Sequence, residues 1–214
     1  LEKLNEKSIE ELTDIINENL YFNDFDYVKK NNLKYRYKHK AEGLENILYY
    51  CPNCHKEHCL STNGNVIKCN ECGFELEINE SYHFNDNRFG ITNIHDWYEL
   101  IKEYERNNIL KGLDLKCNVI VKKFNLNDNS LDEQGEGVCY LSNDKFVFEG
   151  NLKVERFEHN FNVLNGLAFS SGEEFECYYN NELYYFYPIK DKTQCAKWAL
   201  LVDEIVKGQE ENEQ

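Results

Sequence analysis

The feature that most constrains this chain is a set of four cysteines arranged in two closely spaced pairs. Two residues separate Cys51 from Cys54 and Cys69 from Cys72, and fourteen residues lie between the pairs. A two-residue turn brings both thiolates of a pair to one side, about 2.3 Å from a single ion, and two such turns complete a tetrahedron. The spacing therefore predicts one structural Zn²⁺ per chain, with these four cysteines as its ligands.

A β-hairpin is predicted between the two cysteine pairs. Asn63-Gly64 lies between two short β-prone runs, 58–62 and 65–68, as is typical of a two-residue hairpin turn. Hairpin and cysteine pairs together predict a zinc ribbon. Because four thiolates leave no open position for water, we expect this zinc to stabilise the fold and to take no part in catalysis.

Two alternatives to this zinc site stay open. His55, His58 and Cys59 are near enough in the sequence to be substitute ligands, although the paired cysteines already saturate a structural site. The second alternative, two redox-active Cys-x-x-Cys pairs, lacks the βαβ pattern that usually accompanies such a motif. The remaining cysteines are scattered at strand-like positions, which favours a reducing compartment.

Residues 1–48 are predicted to form a helical leader. Ser8 and Glu11 make a capping box, and an amphipathic helix follows it. We expect the apolar stripe of this helix to pack on the core. The stripe consists of Ile9, Leu12, Ile15, Ile16 and Leu20. A second short helix is expected over 23–30, and a further turn or two over 41–48.

A helix over 93–107 should complete the ribbon unit, residues 49–110. Asn93 is its predicted cap, and Lys111-Gly112 ends the unit. The apolar side of this helix carries Ile94, Trp97, Tyr98, Ile101 and Tyr104. The His95-Asp96 pair fits a capped helix start better than a catalytic site, because no nucleophile pattern accompanies it.

The region 111–208 has the pattern of an antiparallel β module closed by a helix. About seven short β-prone runs are separated by turn formers. The runs are 117–126, 137–141, 145–148, 152–157, 161–169, 175–179 and 183–189. A helix with apolar residues at helical spacing then runs from Cys195 to Gly208, followed by a predicted disordered tail, 209–214. This architecture resembles the pleckstrin-homology (PH) or GRAM superfold, so the predicted class is α+β: helical leader, four-cysteine zinc ribbon, and a PH/GRAM-like β module capped by a helix.

The charge of the chain limits its partners. It has 24 Lys and Arg against 39 Asp and Glu, a net charge of −15, which disfavours nucleic-acid binding. One basic run of twelve residues contains no acid. It comprises Lys29, Lys30, Lys34, Arg36, Lys38 and Lys40. The run is either a solvated linker face or a contact for phosphate headgroups or an acidic partner.

The stretch AEGLENILYYCPNC, residues 41–54, resembles a C-terminal extension of the 1-acyl-sn-glycerol-3-phosphate acyltransferase family of Gram-positive bacteria. In that extension an Ala-Glu-Gly-Leu-Glu run leads into Cys-Pro-x-Cys, followed by Cys-x-x-Cys and a Trp-containing helix like 93–97. The resemblance covers about residues 8–105. It implies zinc ligation by the four paired cysteines, and a parent enzyme that transfers acyl groups in phospholipid biosynthesis.

The catalytic motifs of that family are missing from this sequence. None of the six histidines has Asp five positions later, and neither Pro52 nor Pro188 precedes Glu-Gly. The resemblance therefore implies chemistry on an N-terminal part outside this sequence, and the absence of Met suggests a chain that begins partway through a longer protein.

We accordingly expect a non-catalytic regulatory or scaffolding module of a glycerophospholipid acyltransferase. Its expected partners are the N-terminal acyltransferase domain or a membrane surface, and its expected location is cytoplasmic, with the inner face of the membrane as one option. The alternative is a zinc-ribbon adaptor that binds nucleic acid or another protein.

Overall fold

A computed structural model of the chain describes residues 7–20, 22–150, 156–161, 164 and 166–212. Its helices are α1 Ile9–Leu20, α2 Asp24–Lys30, α3 Ile94–Lys111 and α4 Cys195–Asn212. Its strands are β1 Leu60–Asn63, β2 Val66–Cys69, β3 Glu75–Glu77, β4 Asp114–Asn125, β5 Ser130–Ser142, β6 Lys145–Gly150, β7 Arg156–Asn160, β8 Ala168–Ser170, β9 Glu174–Tyr179 and β10 Glu182–Pro188. Within these ranges, no helix combines the length and apolar character needed to cross a membrane.

The predicted α+β layout is confirmed. Two N-terminal helices precede a small three-stranded sheet beside the cysteine cluster, α3 follows, and a seven-stranded antiparallel sheet and α4 complete the described chain.

The leader begins as predicted but does not pack as predicted. The Ser8 and Glu11 side chains exchange hydrogen bonds with each other's backbone N–H groups, at 2.9 and 3.1 Å, and the side chain of Asn23 caps α2. The prediction that the apolar stripe of α1 packs on the core was wrong, because Ile9, Ile16 and Leu20 are 82%, 54% and 75% exposed.

The ribbon sheet has the order β1-β2-β3. The hairpin is confirmed, but its two turn residues are Gly64 and Asn65, since Asn63 still pairs with Val66. Gly64 takes φ +60° at the first central position, where a type II′ turn favours glycine. β3 was not predicted, although Phe74, Leu76 and Ile78 alternate with Glu75 and Glu77 in the sequence. It pairs with β2 through Ile67 and Leu76.

Helix α3 is anchored to the ribbon by Trp97. The Asn93 side chain accepts the Asp96 N–H at 3.1 Å, so the His95-Asp96 pair belongs to a capped helix start. Gly112, at φ +96°, follows the last residue of the helix. Trp97 is fully buried, and its indole Nε1 donates to the Tyr50 carbonyl at 2.9 Å.

The large sheet, ordered β7-β6-β5-β4-β10-β9-β8, curls around its own core. Phe146 on β6 and Phe175 on β9 are four strand positions apart, which is about 19 Å in a flat sheet. Their ring centroids are only 6.4 Å apart. Trp198 of α4 stacks on Phe175 at 5.1 Å and covers this core. The strand count and closing helix match the predicted layout, while likeness to the PH/GRAM superfold stays a prediction.

The end of the C-terminal helix differs from the sequence prediction. Helix α4 continues past Gly208 to Asn212, into the segment predicted as a disordered tail. An interior glycine costs a helix only about 1 kcal/mol, and Gln and Glu, which follow it, are good helix formers. The predicted runs 152–157 and 161–169 lie partly outside the described residues; within them, β7 and β8 are described.

Candidate metal centre

The four paired cysteines come together in space. Their Sγ atoms all lie within 4.8 Å of one another. Cys51 Sγ is 3.8 Å from Cys72 Sγ, and Cys54 Sγ is 3.7 Å from Cys69 Sγ. A tetrahedral ion bound to four sulfurs at about 2.3 Å requires sulfur–sulfur separations of about 3.8 Å. The cluster therefore has the dimensions needed to hold a metal ion.

The two Cys-x-x-Cys turns share one backbone conformation. The His55 N–H donates to the Cys51 carbonyl at 3.0 Å, and the Gly73 N–H donates to the Cys69 carbonyl at 3.0 Å. His55 and Gly73 have φ of +59° and +73°. Glycine occupies this left-handed region without steric cost, so Gly73 indicates the turn in the sequence. His55 gives no such indication of the first turn.

Backbone and amide N–H groups favour the thiolate form in the second cysteine pair, whereas burial raises the pKa of Cys51 in the first. Burial acts to raise the pKa of Cys69, but the N–H groups of Cys72 and Glu71 outweigh it, and the pKa lies below its usual value. The Asn53 side-chain amide, 3.2 Å from Cys72 Sγ, and then the Phe74 N–H lower the pKa of Cys72 to about 6. The more exposed turn thus favours the thiolate that a metal requires.

The substitute ligands are engaged elsewhere. His55 Nδ1 is hydrogen-bonded to the Tyr50 hydroxyl at 2.6 Å, and His58 Nδ1 to the Thr193 hydroxyl at 2.7 Å. Cys59 Sγ lies 3.5 Å from Cys69 Sγ. Burial is the main cause, and the Cys69 sulfur the second, that raises the pKa of Cys59 to about 12, which disfavours the thiolate that a metal requires. Among the described residues, only the four paired cysteines group as metal ligands.

Sequence reasoning missed a buried charge network beside the centre. Lys197 of α4 is 7% exposed, and its Nζ lies 2.6 Å from Glu57 Oε2 and 3.5 Å from Glu105 Oε1. Glu57 belongs to the segment that leads from the first cysteine pair to β1, and Glu105 is a fully buried residue of α3. One cation therefore joins the unit that carries the cysteine cluster to the C-terminal helix.

Hydroxyl groups complete this network. The Tyr49 hydroxyl donates to Glu105 Oε1 at 2.9 Å, and the Tyr104 hydroxyl donates to Glu57 Oε1 at 2.8 Å. The Thr193 hydroxyl donates to Asp191 Oδ1 at 2.7 Å, which leaves its oxygen to accept from His58 Nδ1. No local pattern could have revealed these contacts, because Glu57 and Lys197 are 140 residues apart.

We expect His58 to make the fold less stable in acid. Burial lowers its pKa below the usual 6.5, more than the nearby Asp191 and Glu57 carboxylates raise it, and Lys197 adds to the lowering. The unfolded chain takes up the proton below about pH 6.5, so this contribution to stability is complete above that pH and is lost as the pH falls through the folded pKa. His58→Gln, which keeps a donor for Thr193, should flatten the pH dependence of the urea midpoint.

The wild-type chain is the matched reference in that measurement, with both proteins loaded with metal. Protonation of the cysteines affects both proteins alike, so only the difference between their slopes reports on His58. Equal slopes between about pH 7.5 and pH 5.5 would contradict the prediction.

The predicted basic run divides into two parts. Lys40 is only 9% exposed, and its Nζ donates to the Tyr37 carbonyl, so it offers no surface contact. Lys34 lies 3.4 Å from Glu80. The remaining cations are exposed and form no ion pair among the residues described. They are Lys29, Lys30, Arg36 and Lys38.

Comparisons with known proteins add little to this picture. No protein-family model matches the sequence, and no curated protein matches it. Among solved structures, the C-terminal domain of an unknown protein from Leishmania infantum has a TM-score of 0.26 at 10% sequence identity, with 50% of this chain and 97% of that chain covered. A likeness this weak carries no argument about fold or activity, so the functional argument rests on the cysteine cluster.

Proposed function

We propose that this chain is a non-catalytic scaffolding module that binds one structural Zn²⁺. The observation that carries the proposal is the set of four cysteine Sγ atoms within 4.8 Å of one another. A tetrahedral four-sulfur set is typical of zinc or of iron in iron–sulfur sites. Zinc is favoured because a closed four-cysteine site beside a hairpin is a common structural zinc site.

The position of the cluster supports a scaffolding role. Cys51 and Cys69 are both buried, and Cys69 is the last residue of β2. Glu57 and His58, a few residues after the first cysteine pair, contact α3 and the C-terminal module. A metal that fixes this segment would therefore fix the surface on which α3 and α4 meet. Four thiolates leave no coordination position for substrate or water.

Metal analysis of the purified chain tests the proposal. We expect one zinc per chain and a colourless protein, because zinc has a filled d shell. Cys51→Ser should abolish zinc retention. Cys59→Ser is the matched control: its sulfur is only 3.5 Å from Cys69 Sγ but lies outside the group of four, so zinc should be retained.

Three results would overturn this assignment. One is a protein purified without chelator that contains no zinc and takes up none. Another is a coloured protein that contains iron. The third is equal loss of zinc in Cys51→Ser and Cys59→Ser, which would extend the ligand set beyond the paired cysteines.

We extend the proposal to a parent protein, a glycerophospholipid acyltransferase in which this module would have a regulatory or scaffolding role. The support is the resemblance of residues 41–54 and the order of ribbon and Trp helix. Sequencing the reading frame upstream of Leu1 tests it: His-x4-Asp there would support the parentage, and a coding region without that motif would refute it.

A further inference from the structure

We draw no further inference here: the strongest candidate, the cavity of about 560 Å³ that His159 of β7 and Cys177 of β9 line, where His159 Nε2 is buried without a hydrogen-bond partner among the described residues, carries nothing because no group on its walls shows which chemical class of ligand it would take.

Discussion

Removing the metal should unfold the ribbon and leave the large sheet folded. Binding of zinc to small structural sites is worth about 10–16 kcal/mol, more than most domains possess in total stability. The chain has two tryptophans, one in each core: Trp97 packs in the ribbon core and Trp198 in the sheet core. We expect Cys69→Ser, or chelation of the metal, to shift the emission of Trp97 to longer wavelength and to leave Trp198 nearly unchanged.

Single-tryptophan variants separate the two signals. Trp198→Phe leaves Trp97 as the reporter, and Trp97→Phe leaves Trp198. Ala196 and Leu200 of α4 pack in the ribbon core, so the signal of Trp198 should show a small loss of packing but no unfolding. An unchanged Trp97 emission in protein verified to lack metal would contradict the structural role of the ion.

Replacing Lys197 with Met should destabilise the protein by about 3–5 kcal/mol, because it leaves buried carboxylates without the cation that pairs with them. Glu105 is fully buried and keeps only its hydroxyl and amide partners. Glu105→Gln added to Lys197→Met should recover part of the loss, since the neutral amide still offers Tyr49 an acceptor. Urea unfolding at neutral pH measures both effects.

Lys207→Met is the matched control on the same helix. Its Nζ lies 3.9 Å from Glu204, and its side chain is 59% exposed, so the substitution should cost less than about 1 kcal/mol. If Lys197→Met costs no more than this control, the buried network does not join α4 to the ribbon unit.

Local patterns predicted much of the metal centre and of the fold. The spacing of Cys51, Cys54, Cys69 and Cys72 was sufficient to group these residues, because each pair is brought together by a short turn that two intervening residues allow. The Asn93 cap was equally readable, since its hydrogen bond is made within three residues.

Predictions that needed a partner surface were less successful. The pattern of α1 identified its apolar row, but its expected place in the core was wrong, because a periodic pattern defines a face and not the surface that covers it. The basic run was also read as one unit, whereas Lys40 turns inward. The hairpin was found, but its turn was misplaced by one residue, because register depends on the pairing of both strands.

The sequence by itself determined the grouping of the four paired cysteines, the helix caps at Ser8 and Asn93 and most of the strands, all of which depend on residues close together in the chain. Only the tertiary structure decided that the large sheet curls until Phe146 meets Phe175, and that Lys197 lies between Glu57 and Glu105. These contacts depend on how distant elements pack, and the side chains involved carry no local signal of their partners. Packing also left Ile9, Ile16 and Leu20 of α1 exposed within the described residues.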